Sequence, residues 1–303
     1  MQAVLAILPI FLLILTGYAL ARAKFLEAAF WVGADRLTYY VLFPALLFVG
    51  ISKPGESLEG LGLIVLAVGA TLFLGSGGLW LLKRALKVED RDYMAYYQGG
   101  IRFNTFIGIS MVMALFGDEG MFYASIIISF MVPLINTLCV VVLTLCSSQK
   151  EVRGMKILKD IAKNPLIIAC LLGLLFRYGE LALPDFLLSF LTILGRSALP
   201  LGLLSVGTAL SIKGLLAPTT PLVAFGGFKL LILPCVAYGV GVGLGFEATL
   251  LWIFVLLFAL PTASSSYILV RQFGGDTGLM SKIITAETIL STVSLTLLAY
   301  LWA

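Results

Sequence analysis

The sequence predicts an all-α membrane protein with ten transmembrane helices, arranged as two inverted five-helix repeats whose broken helices, spans four and nine, cross. Three observations predict it: the composition, the placement of the basic residues, and an echo between the two halves. Hydrophobic residues make up 60% of the 303, charged residues only 12%, and the mean hydropathy is +1.08. No ordinary soluble domain has that balance, so the expected solvent is lipid. The net charge of +4 lies in short loops between apolar runs, which argues against nucleic acid as a partner.

A hydrocarbon core of about 30 Å needs roughly 20 apolar residues of helix. Cutting the chain where charges or turn residues cluster gives spans at 2–21, 30–52, 60–82, 93–116, 121–146, 164–179, 184–212, 221–244, 247–270 and 277–302. The first run lacks a basic segment before it, and Arg22 and Lys24 follow it instead. It therefore reads as a retained span and not as a signal peptide.

The basic residues then fall on one side. Alternate loops hold Arg22 and Lys24; Lys83, Arg84, Lys87 and Arg91; Lys150, Arg153, Lys156, Lys159 and Lys163; Lys213; and Arg271 and Lys282. The other loops hold only Lys53 and Arg177. By the positive-inside rule both termini lie outside the cytoplasm of a cell inner (plasma) membrane. Residues 150–163 read as a cytoplasmic connector between a first repeat, 1–149, and a second, 164–303.

An odd number of spans per half makes the halves inverted. Aligning Asn104 with Pro261 also aligns Thr105 with Thr262, Phe116 with Phe273 and Gly117 with Gly274; a one-residue insertion then aligns Asp118 with Asp276. Spans two and seven echo each other around Pro44 and Pro200. Inverted repeats in membrane carriers place a ligand near the midplane, where interrupted helices meet. Pro261 lacks an N–H and obstructs the carbonyl four residues earlier, so span nine should break there, with Thr262, Ser264, Ser265 and Ser266 supplying hydroxyls. In span four Gly99, Gly100 and Gly108 bracket Asn104 and are expected to permit an unusual backbone. Small and hydroxylated residues also serve close helix packing, the blander account of the same cluster.

Chemistry is narrowed by what the chain lacks. There is no His, hence no imidazole base, relay or metal ligand. Cys139, Cys146, Cys170 and Cys235 show no CxxC spacing, so neither a disulfide framework nor a metal site is indicated. No phosphate-binding GxxxxGK[ST] segment occurs. Neither an enzyme nor a nucleotide-driven pump is expected, and no cofactor beyond a coupling ion, H+ or Na+.

The stretch Gly100-Ile-Arg-Phe-Asn-Thr-Phe-Ile-Gly, the Tyr40-Val-Leu-Phe-Pro-Ala-Leu-Leu-Phe of span two and Pro261-Thr-Ala-Ser-Ser-Ser resemble the auxin efflux carrier family, particularly its bacterial permease branch, over essentially the whole chain. The resemblance implies two inverted repeats of five spans, a scaffold and a transport domain with crossed broken helices, homodimers, and movement of small organic anions. Bacterial relatives are assigned to malate or malonate, and plant members carry auxin. The broader superfamily includes sodium-coupled symporters of larger, bile-acid-like anions, an alternative for this chain. Plant members usually have a long central loop and a proline at the span-four crossing; here the loop is short and Phe103-Asn104 stands at the crossing.

Charges inside spans are costly, about 2.5–3.5 kcal/mol each on insertion scales, so each calls for an account. Arg102 lies about ten residues, roughly 15 Å, into span four. Its guanidinium can grip a carboxylate in a bidentate pair, pair internally with Glu287 or Asp35, or contact carbonyls at the helix break. Lys229 and Arg36 are expected to reach the cytoplasmic interface, and Arg196 the outer vestibule or a partner in the bundle. The expected substrate-binding residues are Arg102, Asn104, Thr105, Asn136, Pro261, Thr262, Ser264 and Ser265, and Glu287 is the candidate for coupling to H+ or Na+.

Overall fold

The computed structural model describes residues 2–52, 61–147, 165–210 and 219–302, with backbone alone at 2–7, 272 and 302. The connector 150–163, Lys53 and Lys213 lie outside the described residues. Every regular element among those described is helical. The helices are α1 (Gln2–Arg22), α2 (Ala28–Ser52), α3 (Leu61–Ala85), α4 (Asp90–Ile101), α5 (Thr105–Cys146), α6 (Pro165–Tyr178), α7 (Asp185–Thr208), α8 (Thr220–Gly243), α9 (Ala248–Ala259), α10 (Ser266–Gln272) and α11 (Thr277–Trp302). Six helical stretches are long and apolar enough to cross a membrane, by length and composition: Ala28–Ser52, Leu61–Ala85, Asp90–Cys146, Asp185–Thr208, Thr220–Gly243 and Thr277–Leu301. Their outer faces are apolar: Phe73 is 78% exposed, Phe186 75% and Val293 71%. Such a surface suits lipid, and in water it would be an association hazard.

The helices pack in two groups. In one, α1 lies on α7, and α2 lies on α6 and α7. A Cβ on Gly17 would fall 2.0 Å from the Leu204 carbonyl oxygen, and one on Gly207 2.0 Å from that of Ile14, so α1 and α7 meet backbone to backbone. In lipid, where apolar side chains have no drive to leave solvent, such close contact is what holds helices together. In the other group α8 packs on α3 and α9, α9 on α5, and α4 on α5 and α11. Residues Ile253 to Leu260 of α9 and its C-cap are all buried, the pattern of a helix enclosed on every side.

Two helices absorb a proline with a π turn. Thr38–Leu42 precedes Phe43-Pro44 in α2, and Phe228–Ile232 precedes Leu233-Pro234 in α8. The wider turn relieves the clash of the proline ring with the preceding turn. The expected boundary between spans four and five, within 116–121, is one sharp turn at Gly117. Gly117, at φ 60° and ψ −147°, leaves the helical region and separates two helices within Thr105–Cys146. Only glycine takes that backbone without a Cβ penalty, and the helix resumes at once.

Candidate functional site

Span nine breaks where its proline requires. α9 ends at Ala259, and Leu260, the residue before Pro261, is extended at φ −65° and ψ 146°, as the proline ring demands of its predecessor. Helix resumes only at Ser266. The break in span four has another cause. Arg102 and Asn104 are extended, at φ −75°, ψ 161° and φ −85°, ψ 101°. The Asn104 Oδ1 accepts from the N–H groups of Phe106 at 3.0 Å and Ile107 at 3.2 Å, capping the new helix. The two breaks touch directly, since the Asn104 N–H donates to the Pro261 carbonyl at 2.7 Å.

Gly99 and Gly100 do not loosen this backbone. Both sit within α4 and make room for neighbours: a Cβ on Gly99 would meet Ile283 Cγ2 at 2.6 Å and Glu287 Oε1 at 3.2 Å, and one on Gly100 would meet Leu79 at 2.3 Å. Gly108 likewise admits the Leu260 side chain. The glycines bring helices together, and the capping asparagine shapes the break.

A cavity of about 720 Å³ lies against the crossing. Of the residues expected at a site, Arg102, Asn104, Thr105, Asn136, Ser264 and Ser265 line it. Pro261 and Thr262 are buried behind its wall. The Thr262 hydroxyl donates to the Gln98 carbonyl at 3.1 Å, with the Ser266 hydroxyl at 3.2 Å, which ties the second break to α4. The opposite wall, from α2 and α7, holds Asp35, Arg36, Tyr39, Ser205 and Thr208. Sequence reasoning missed this wall: no local pattern tells which faces of α2 and α7 turn toward the crossing. There the Ser205 hydroxyl donates to Asp35 Oδ1 at 2.5 Å.

Arg102 reaches into the cavity with its Nη1 donating to Asn136 Oδ1 and its Nη2 to Ser265 Oγ, each at 3.2 Å. The internal ion pair with Glu287 or Asp35 is not formed. Both partners are neutral, so the positive charge is uncompensated by them, and guanidinium N–H groups remain for a ligand.

Glu287 and Lys229 lie deeper. Glu287 is 2% exposed, and its Oε2 accepts the Thr262 N–H at 2.9 Å, one of the backbone donors freed by the break. The expectation that Lys229 reaches the interface is overturned: it is 1% exposed and its Nζ donates to the Phe258 carbonyl at 3.3 Å. A helix-end carbonyl offsets burial of the ammonium better than a long stretch to the headgroups, and Glu287 is buried at the same break. Arg36 is exposed to the cavity, while Arg196 and Asp118 line a small second pocket.

A family profile described as membrane transport protein matches residues 2–299. An uncharacterized transporter of Methanothermobacter thermautotrophicus is 25% identical over 297 residues, covering 96% of this chain and 95% of the relative. A Rhizobium meliloti protein bearing a provisional malonate transporter name is 25% identical over 307 residues, covering 97% and 94%. An uncharacterized transporter of Methanocaldococcus jannaschii is 24% identical, covering 98% and 96%. With every described element helical, apolar outer faces and a cavity with polar side chains at crossed helix breaks, the chain belongs to the membrane transport protein family, the auxin efflux carrier-like permeases, and is a transporter and not an enzyme.

Proposed function

We propose that the chain is a secondary transporter that moves small organic anions, mono- or dicarboxylates of the malonate, malate or auxin-like kind, by alternating access. Arg102 carries the reading: a permanently charged guanidinium held by two neutral acceptors in a cavity at a helix break. A carboxylate fits its fork in a bidentate pair, and the N-terminus of α5 beside it adds a partial positive charge. The Rhizobium meliloti relative's name supports a short dicarboxylate.

In this reading the chain spans the inner (plasma) membrane ten times, in two inverted repeats, with both termini outside, and pairs as a homodimer. The repeat draws support from Gly117 and Gly274, aligned in sequence and both at positive φ, 60° and 79°. The α1, α2, α6 and α7 group serves as scaffold and the other helices move against it, the cavity between them opening to each side in turn. Glu287 is the group through which H+ or Na+ couples; membrane potential, worth about 2.3 kcal/mol per charge for about 100 mV, is the other drive.

Uptake of labelled malonate, malate and indole acetate into proteoliposomes under imposed pH, sodium and potential gradients tests this. The expected result is saturable uptake of at least one anion, inhibited by the others. Uptake of none, or single-channel current, would refute it.

A further inference from the structure

The crossing buries a set of oxygen atoms. Besides the Glu287 carboxylate it holds the carbonyls of Gln98 and Phe258 and the hydroxyls of Thr262 and Ser266. Carbonyls at the ends of unwound helices beside a carboxylate are the chemistry that holds sodium in coupled carriers. A carboxylate so enclosed also needs a positive charge, since an isolated buried charge is strongly destabilising. The chain supplies that charge itself. Lys229 lies near the middle of Thr220–Gly243, in the π turn Phe228–Ile232 that packs on α9 and α11, and Glu287 lies near the middle of Thr277–Leu301. The ammonium donates to the Phe258 carbonyl, in the last turn of α9, where a half-helix ends in unsatisfied carbonyls. On the other side of the break, Glu287 accepts the Thr262 N–H. The pair thus meets both ends of the interruption, each charge at the end of matching polarity.

We propose that the Lys229 ammonium is a built-in cation of the crossing, standing in for the metal ion that Glu287 and the Phe258 carbonyl would otherwise recruit, so that this carrier works without sodium. The inference rests on reading Glu287 as the coupling position, and it narrows the drive to protons or membrane potential. It also separates this chain from a sodium-coupled symporter on one residue: a tethered cation is present at every stage and independent of salt, whereas a bound ion is gained and lost with its gradient. Lys229 acts as a positioning residue, holding Glu287 and the end of α9 in register while the anion site lies on the cavity side.

The test begins with the unaltered protein. Its melting temperature in detergent, with no anion present, should be the same in sodium, potassium and choline chloride at equal ionic strength. Lys229→Ala should melt lower in choline and recover by about 3 °C in sodium at roughly ten times its dissociation constant, with sodium now also stimulating labelled malonate uptake. The double change Lys229→Met with Glu287→Gln, which removes both charges, should melt alike in every salt. Sodium stabilisation of the unaltered protein, or a Lys229→Ala protein that ignores sodium or fails to fold in it, would overturn the proposal. Because the melts contain no organic anion, they stand or fall apart from the substrate reading: sodium-insensitive melting with no uptake of any anion would refute anion transport and leave the tethered cation intact.

Discussion

Replacing Arg102 by alanine weakens malonate binding by about 10- to 100-fold, the equivalent of the roughly 1.5–3 kcal/mol carried by hydrogen bonds to a charged group. The melting temperature should stay near that of the unaltered protein. The guanidinium hydrogen-bonds Asn136 and Ser265 at the cavity wall and lies beside Cys139, all of them uncharged, so its loss leaves no buried charge unpaired. Arg102→Lys should fall between, since it keeps the charge and loses the planar fork. Calorimetric titration of malonate into the purified variants, beside a thermal melt of each, checks this. Unchanged malonate affinity in Arg102→Ala would remove Arg102 from the anion site.

Glu287→Gln has the largest expected effect on stability. It leaves the Lys229 ammonium enclosed at 1% exposure with the Phe258 carbonyl still accepting its hydrogen bond and no opposing charge. A buried charge left without its counter-charge destabilises by up to about 3–5 kcal/mol, the cost of breaking a pair in contact, whereas removing both charges is often neutral. The single variant should therefore unfold well below the unaltered protein, and adding Lys229→Met should recover most of the loss. That non-additivity is the signature of a coupled pair. Transport by Glu287→Gln protein, where enough folds, should also lose its dependence on the driving ion gradient. A single variant as stable as the parent would mean that the two charges do not depend on one another.

Much of the architecture was legible because lipid leaves the backbone few options. The expected span 30–52 is Ala28–Ser52, and 277–302 is Thr277–Trp302, since apolar runs bounded by charges admit one structure there. The break at Pro261 follows from covalent geometry alone. The break at Asn104 was located for the wrong reason: glycine grants either conformational freedom or close approach, and sequence does not say which. Lys229 was misplaced because distance from a span end predicts depth only when nothing in the bundle offers a better partner, and the Phe258 carbonyl at the end of α9 does. The residues that converge on the cavity from α2 and α7, Asp35, Arg36, Tyr39 and Ser205, were not assembled, because which faces meet is decided by packing such as that of Gly17 and Gly207 and not by local pattern.

Alternating access at this cavity is tested most directly by a reporter on its wall. Ser265 lines the cavity and is exposed to it. Ser265→Cys, in a background with Cys139, Cys146, Cys170 and Cys235 replaced by serine or alanine, is treated with a membrane-impermeant thiol reagent from each side of the bilayer, with and without malonate. The account predicts modification from both sides, slowed from both by malonate. Modification from one side only under every drive, or rates indifferent to malonate, would contradict it.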